Sequence, residues 1–209
     1  MGYDLHMVLT PTTAPEGYKP QYPGQLGYYR LNTYGMSVTR GFMWEWAEAW
    51  YSADAPEFPD MSAFGLREED SDQVVEWREW HAEKAELENS TDHDVADEWA
   101  ELGEEPEPPS EEQKRNFLLW EAAYNAALGI DTVKDGQVAS YKWESNDGWL
   151  VTPAECLTIA AAVRKHADEI AADYFTDIDG MSAADGRDWL NAWIGFHELA
   201  ATHGGYRVH

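Results

Sequence analysis

The chain has a single cysteine, Cys156, in 209 residues. That excludes an intramolecular disulfide and a cysteine-based zinc site. Because it lies in an apolar helical stretch, Cys156 reads as a buried, inert thiol. Positive charge is also scarce: 14 Lys and Arg stand against 40 Asp and Glu, a formal net charge of −26. Such a surface repels phosphate, so direct binding to nucleic acid or to an anionic membrane is not expected, whereas a basic partner is. No apolar run is long enough to span a bilayer; the longest lies around residues 156–163. The first residues lack a basic stretch followed by an apolar one, so no secretory signal is expected and the location is read as cytoplasmic. Three catalytic signatures are missing as well: the Gly-x-Ser-x-Gly elbow, the phosphate loop ending in Lys-Ser/Thr, and Gly-x-Gly-x-x-Gly after a strand. No repeat of fixed period is present.

Apolar and aromatic residues are plentiful. They make up 44% and 13% of the chain, with 11 Trp and 11 Tyr, enough to bury a sizeable core and to make global disorder unexpected. Tyr3, Leu5, Met7 and Leu9 alternate with Asp4, His6 and Val8, the period of a strand with one apolar face. Residues 11–27, rich in Pro, Gly and Tyr, read as an irregular arm. A helix is expected over about 37–51 and another over 110–128, the latter with Phe117, Trp120, Tyr124 and Leu128 on its buried stripe. The turn signals Asp135-Gly136 and Asn146-Asp147-Gly148 flank an alternating run, Val138 to Trp143, which reads as a strand in a hairpin. Thr152-Pro153-Ala154-Glu155 opens a helix with a capping Thr, Pro at the first position and Glu at the third. Ser182 opens the last helix, Gly204-Gly205 ends it, and Tyr206 and Val208 are expected in a final edge strand. The expected fold is therefore α+β and mainly helical. A small mixed or antiparallel sheet, from strands near 3–9, 136–144 and 205–209, packs against the helices. We read residues 1–209 as one domain.

Charge is unevenly spread. Residues 54–112 hold 22 acidic and three basic residues, net −19, whereas the remainder holds 18 and 11, net −7. This stretch reads as an acidic helical insertion of two helices, about 71–88 and 91–102, followed by an acidic Pro-rich linker. On the first helix Asp72, Glu76, Glu79, Glu83 and Glu86 are spaced 4, 3, 4, 3 and share a face, opposite Val74, Trp77, Trp80, His81 and Ala85. Asp94, Asp97, Glu98 and Glu101 repeat the theme on the second. Like charges at i, i+4 weaken a helix by a few tenths of a kcal/mol, so the stripe is not there for helix stability. Five carboxylates over about 21 Å average roughly 5 Å apart, near the charge spacing of a nucleic-acid backbone. The stripe reads as a surface for a basic partner, including a mimic of nucleic acid; the plainer reading is a solvated face that keeps the protein dispersed.

Other patterns point to structure rather than chemistry. His197 and His203 are six apart, about 240° around a helix, so one helix does not present both to one metal. Asp177-Ile178-Asp179-Gly180 resembles part of a calcium loop, but Phe175 and Gly186 occupy the loop positions that require Asp and Glu. Neither a metal nor a cofactor is expected.

Both ends of the chain carry short motifs: Met1-Gly-Tyr-Asp-Leu-His6, Tyr29-Arg-Leu-Asn32 with Gly35-Met36, Asn146-Asp147-Gly148-Trp149, and His203-Gly-Gly-Tyr206. In these, residues 1–50 and 115–209 resemble a loose group of uncharacterised bacterial and phage proteins. The group carries no established activity, so the resemblance implies no catalytic residue. It does imply a bacterial or infected-host cytoplasm, and it leaves residues 54–112 looking like an insertion. Three functions follow as expectations. The first is a non-enzymatic acidic interaction protein, phage-encoded or phage-related, that contacts a basic host protein, one that handles nucleic acid included. The second is a small hydrolase or metal-assisted enzyme built from Asp4, His6, Arg30, Asn32, Asp147, His197 and His203. The third is an accessory or structural virion protein. Convergence of three or more of those seven side chains in one pocket would favour the enzyme, and dispersal over the surface would end that expectation.

Overall fold

The structure, a computed structural model, describes residues 2–15, 18–90, 99, 101–177 and 181–209. It is α+β and mainly helical. The chain divides into two compact units, Met1–Pro56 with Leu128–His209, and Glu57–Ala127.

The first unit carries a four-stranded antiparallel sheet and three long helices. In chain order these are β1 (Tyr3–Met7), β2 (Tyr28–Leu31), α1 (Thr33–Glu45), a short β3 (Trp50–Tyr51), β4 (Val138–Ala139), β5 (Trp149–Val151), α4 (Pro153–Glu169), α5 (Ala183–Ala201) and β6 (Tyr206–Val208). The sheet order is β2-β1-β6-β5. Alternation decides its two faces. Leu5, Tyr29, Leu31, Val151, Tyr206 and Val208 point inward and join a cluster of 30 buried apolar residues with Ile159 and Val163 of α4 and Trp193 and Phe196 of α5. The outward face is mainly polar, with Leu150 opposite Arg207. β1 stops at Met7, so Leu9 is 61% exposed rather than on the apolar face.

Two expectations about the sheet are corrected. Residues 136–144 contribute no strand to it: Val138–Ala139 pairs in parallel with Trp50–Tyr51 in a separate ladder, and residues 140–143 wind into a 3-10 turn. That turn carries Lys142 inward, where its ammonium donates to the carbonyls of Ile130 and Leu150 and to Glu155. The local signal was sound, since Asp135 and Gly136 both adopt positive φ and close a tight antiparallel bridge between Lys134 and Gln137. β6 is not an edge strand but lies between β1 and β5. Gly205 makes this entry feasible: its φ is +86°, and a Cβ there would collide with the Val151 carbonyl.

Helix boundaries follow their caps. Asn32 caps α1, accepting from the Gly35 N–H at 2.7 Å, so the helix starts four residues before the expected 37 and ends at Glu45. Thr152 and Glu155 form the expected capping box on α4, and Ser182 and Asp185 form one on α5.

The second unit contains α2 (Glu68–Asn89) and α3 (Glu111–Leu128, whose last residue belongs to the first unit). Among the described residues, its buried apolar cluster is Leu66, Val74 and Phe117, with Met61, Phe64 and Trp120 against it. α2 begins three residues before the expected Ser71 because the Asp70 carboxylate accepts from the Arg67 N–H at 3.0 Å, and Glu68, Glu69 and Asp70 suit the positive end of the helix dipole. The expected helix over 91–102 falls largely outside the described residues.

Candidate functional site

Antiparallel register places directly opposed residues on one side of a sheet. Asp4 faces Arg30 and His6 faces Tyr28 across β1–β2, while His6 faces Arg207 across β1–β6. One step beyond β6, His209 continues the ladder: its N–H donates to the Asp4 carbonyl at 2.9 Å, and its carbonyl accepts from the Asp4 N–H at 2.7 Å. The outward sheet face thus collects Asp4, His6, Tyr28, Arg30, Arg207 and His209.

These groups also touch. The Arg30 guanidinium sits 3.8 Å from the Asp4 carboxylate, and the Tyr28 hydroxyl donates to that carboxylate. The His6 ring lies 5.0 Å from the Tyr28 ring and 5.9 Å from the His209 ring, and Tyr22 lies 5.5 Å from Tyr28. Gln21 holds the outer edge of β2, its amide accepting from the Arg30 N–H and donating to the Arg30 carbonyl. Arg207 donates to the Gly148 carbonyl at 2.9 Å, and a Cβ at Gly148 would lie 3.4 Å from the His209 ring, so the 146–148 turn borders the face. Alongside runs an open groove of ≈ 960 Å³, lined by Asp4, His6, Tyr28 and the segments 10–12 and 24–27.

The electrostatics are local and opposite to those of the whole chain. Two guanidiniums and two imidazoles stand around one carboxylate, in a protein of net charge −26. The hydrogen bond to Asp4 raises the Tyr28 pKa, so its hydroxyl remains a donor at neutral pH. Partial burial, then the nearby His6 and Arg207, lower the pKa of His209, which favours its neutral, proton-accepting form. Imidazoles of this kind move protons, and guanidiniums grip the oxygens of carboxylates and phosphates.

Of the seven candidate enzyme residues, three share this face, Asp4, His6 and Arg30; Asp4 and His6 line the groove beside it, and Arg30 does not. The other four do not share the face. Asn32 is the cap of α1. Asp147 is exposed and accepts from the Ser145 hydroxyl at 2.5 Å. His203 lies at the end of α5, its Nδ1 2.9 Å from the Leu199 carbonyl. His197 is fully buried, between the Trp193 carbonyl at 2.9 Å and the Tyr206 hydroxyl at 3.0 Å, and burial lowers its pKa to about 4. It is a neutral core histidine, not a surface ligand. Cys156 is buried as expected, and burial pushes its thiol pKa well up. Among the described residues, no three His, Cys, Asp or Glu side chains are placed to share a metal ion.

The acidic stripe has the expected geometry where it is described. Asp72, Glu76, Glu79, Glu83, Glu86 and Glu101 are exposed, while on the other side of α2 Val74 is buried, Trp77, Trp80 and His81 are half-buried and Ala85 is exposed. None of the five α2 carboxylates forms an ion pair among the described residues. The acidic residues that do so in this unit are Glu69, Asp70, Glu105, Glu111, Glu112 and Glu121. Asp94, Asp97 and Glu98 lie outside the described residues. No helix among the described residues is long and apolar enough to cross a membrane.

No family model matches the chain, and no curated protein or solved structure matches it. The sequence reading missed Tyr28, Arg207 and His209. Their signal was the same alternation that placed Tyr206 and Val208 in a strand: if those two face the core, Arg207 and His209 face outward. Tyr28 was hidden by assigning residues 28–31 no strand.

Proposed function

We propose that the outward face of the four-stranded sheet is the site of a small acid–base enzyme, a hydrolase or transferase acting on an anionic ester. The supporting observation is the convergence of Asp4, His6 and Arg30 with Tyr28, Arg207 and His209 on one sheet face. In this reading Arg30 and Arg207 hold the anionic group. His209 takes a proton from the attacking hydroxyl or water, and His6 gives one to the leaving oxygen. Tyr28 and Asp4 keep the face ordered. The test is turnover of bis(p-nitrophenyl) phosphate followed by release of the coloured phenol. Measurable turnover is expected, falling by about 10²–10⁴-fold in His6→Ala and in His209→Ala. Equal turnover in wild type and both variants, or none at all, would refute the reading.

A second reading rests on a separate observation, the unpaired α2 stripe of Asp72, Glu76, Glu79, Glu83 and Glu86. Five exposed carboxylates without ion-pair partners among the described residues suit a basic protein surface, including one that otherwise holds nucleic acid. Binding of a host protein from lysate should then weaken with salt and be lost when these five are reversed to Lys. Retention of the same protein after reversal would end this reading.

A further inference from the structure

Resting on the sheet-face reading, we infer that the substrate is a single-stranded ribonucleotide phosphodiester, cleaved by attack of its own 2′-hydroxyl. Three features of the face select this class. The first is the pair of imidazoles, 5.9 Å apart between ring centres, which can flank a single phosphorus. An acid and a base on either side of one phosphorus suit a reaction in which one hydroxyl attacks and another leaves. The second is the pair of guanidiniums, Arg30 and Arg207, on strands either side of β1, which bracket the position a phosphodiester would take. The third is the tyrosine pair, Tyr22 and Tyr28, with ring centres 5.5 Å apart beside His6. Rings of this kind stack an unpaired base without selecting its sequence. A base splayed onto a sheet-borne ring is available in single strands and withheld in a duplex.

The step balances without a co-reactant. His209 removes the 2′-hydroxyl proton, the 2′-oxygen bonds to phosphorus, and the bond from phosphorus to the 5′-oxygen breaks. The 5′-oxygen leaves with a proton from the His6 imidazolium. The products are a 2′,3′-cyclic phosphate and a free 5′-hydroxyl, and the two histidines have exchanged protonation states. Neither electrons nor water are consumed.

The net charge of −26 argues against tracking a long polyanion, but 22 of the 40 acidic residues lie between residues 54 and 112. A short strand presents one or two phosphates to a face that holds two arginines and one carboxylate, and needs no extended basic groove.

The test uses the full chain and two oligonucleotides: a DNA strand with one central ribonucleotide, fluorophore and quencher at its ends, and its all-DNA counterpart. Cleavage of the first alone is expected, with a cyclic phosphate end detected by mass spectrometry. The rate should fall about 100-fold or more in His6→Ala and in His209→Ala. Each variant is checked by circular dichroism, and Glu104→Gln, an exposed residue of the other unit, serves as a preparation control that keeps the wild-type rate. Equal cleavage of the all-DNA strand would overturn attack by the 2′-hydroxyl. An uncleaved ribonucleotide strand, with bis(p-nitrophenyl) phosphate still turned over in a histidine-dependent way, would overturn the substrate class and leave the acid–base site standing. Failure on both substrates would remove both. Cleavage unchanged in both histidine variants would assign it to a contaminant and overturn the inference.

Discussion

The two units handle polar and charged side chains to different extents. In the first, several are taken deep into the core and given partners there. Lys142 and Glu155 are both fully buried; the ammonium donates to two carbonyls and the carboxylate, and Glu155 also accepts from Thr132 and the Thr152 N–H. His197, Tyr206 and Trp143 form a second buried chain of hydrogen bonds. The Trp50 and Trp193 indoles are exceptions, buried without an acceptor. In the second unit, among the described residues, the charged side chains apart from Asp70 stay at the surface over a cluster of three buried apolar residues. A large apolar cluster can offset the desolvation of several polar groups; around a small one most charges remain in water. The difference separates a region built for a fixed geometry, with the sheet face as its product, from one whose surface charge is its main feature.

The largest expected break comes from Lys142→Met. It leaves the Glu155 carboxylate buried without its counter-ion and should cost about 3–5 kcal/mol in a denaturant titration at pH 7. Burial lowers the Lys142 pKa and Glu155 partly restores it, so the pair stands or falls together. A loss below about 1 kcal/mol would mean that the network is not a structural anchor.

Next comes pH. The folded His197 pKa of about 4 lies below its unfolded value of 6.5. Its contribution is complete above pH 6.5 and is lost as pH falls toward 4, by roughly 3 kcal/mol. His197→Gln should flatten that part of the stability–pH curve. An unchanged slope would place the acid sensitivity elsewhere. Thr152→Ala, which removes the cap of α4, should cost about 1 kcal/mol, read as a shift in the thermal midpoint.

The smallest effect runs the other way and belongs to the second unit. Replacing Glu79 and Glu83 by Gln removes one like-charge i, i+4 contact and should stabilise α2 by a few tenths of a kcal/mol. High salt should erase the gain. Destabilisation by these changes would show that the two carboxylates have partners of their own.

The fold class and the caps were legible because they depend on local chemistry. Thr152-Pro153 and Ser182 announce their helices within four residues, and the 4, 3, 4, 3 spacing fixes the acidic face of α2. Strand pairing was not legible, because it joins segments far apart in sequence. Nothing in residues 138–143 says that Lys142 will find Glu155 or that Val138 will pair with Trp50. The functional face suffered most from this. Asp4 and His6 were visible in one alternating segment and Arg30 only in a short motif, but Arg207 and His209 gain meaning only when β6 is inserted beside β1. His197 misled for the converse reason: a histidine in an apolar helix is as often a core residue with satisfied nitrogens as a ligand, and only its burial decides.

The most direct test of the central claim, that the outward sheet face is the functional site, follows the histidine side chains by ¹H–¹⁵N NMR during titration with inorganic phosphate. The account predicts saturable shifts at His6 and His209, no shift at buried His197, and weaker binding in Arg30→Gln and Arg207→Gln. Unmoved His6 and His209 resonances, or equal small drifts at all the histidines, would contradict it.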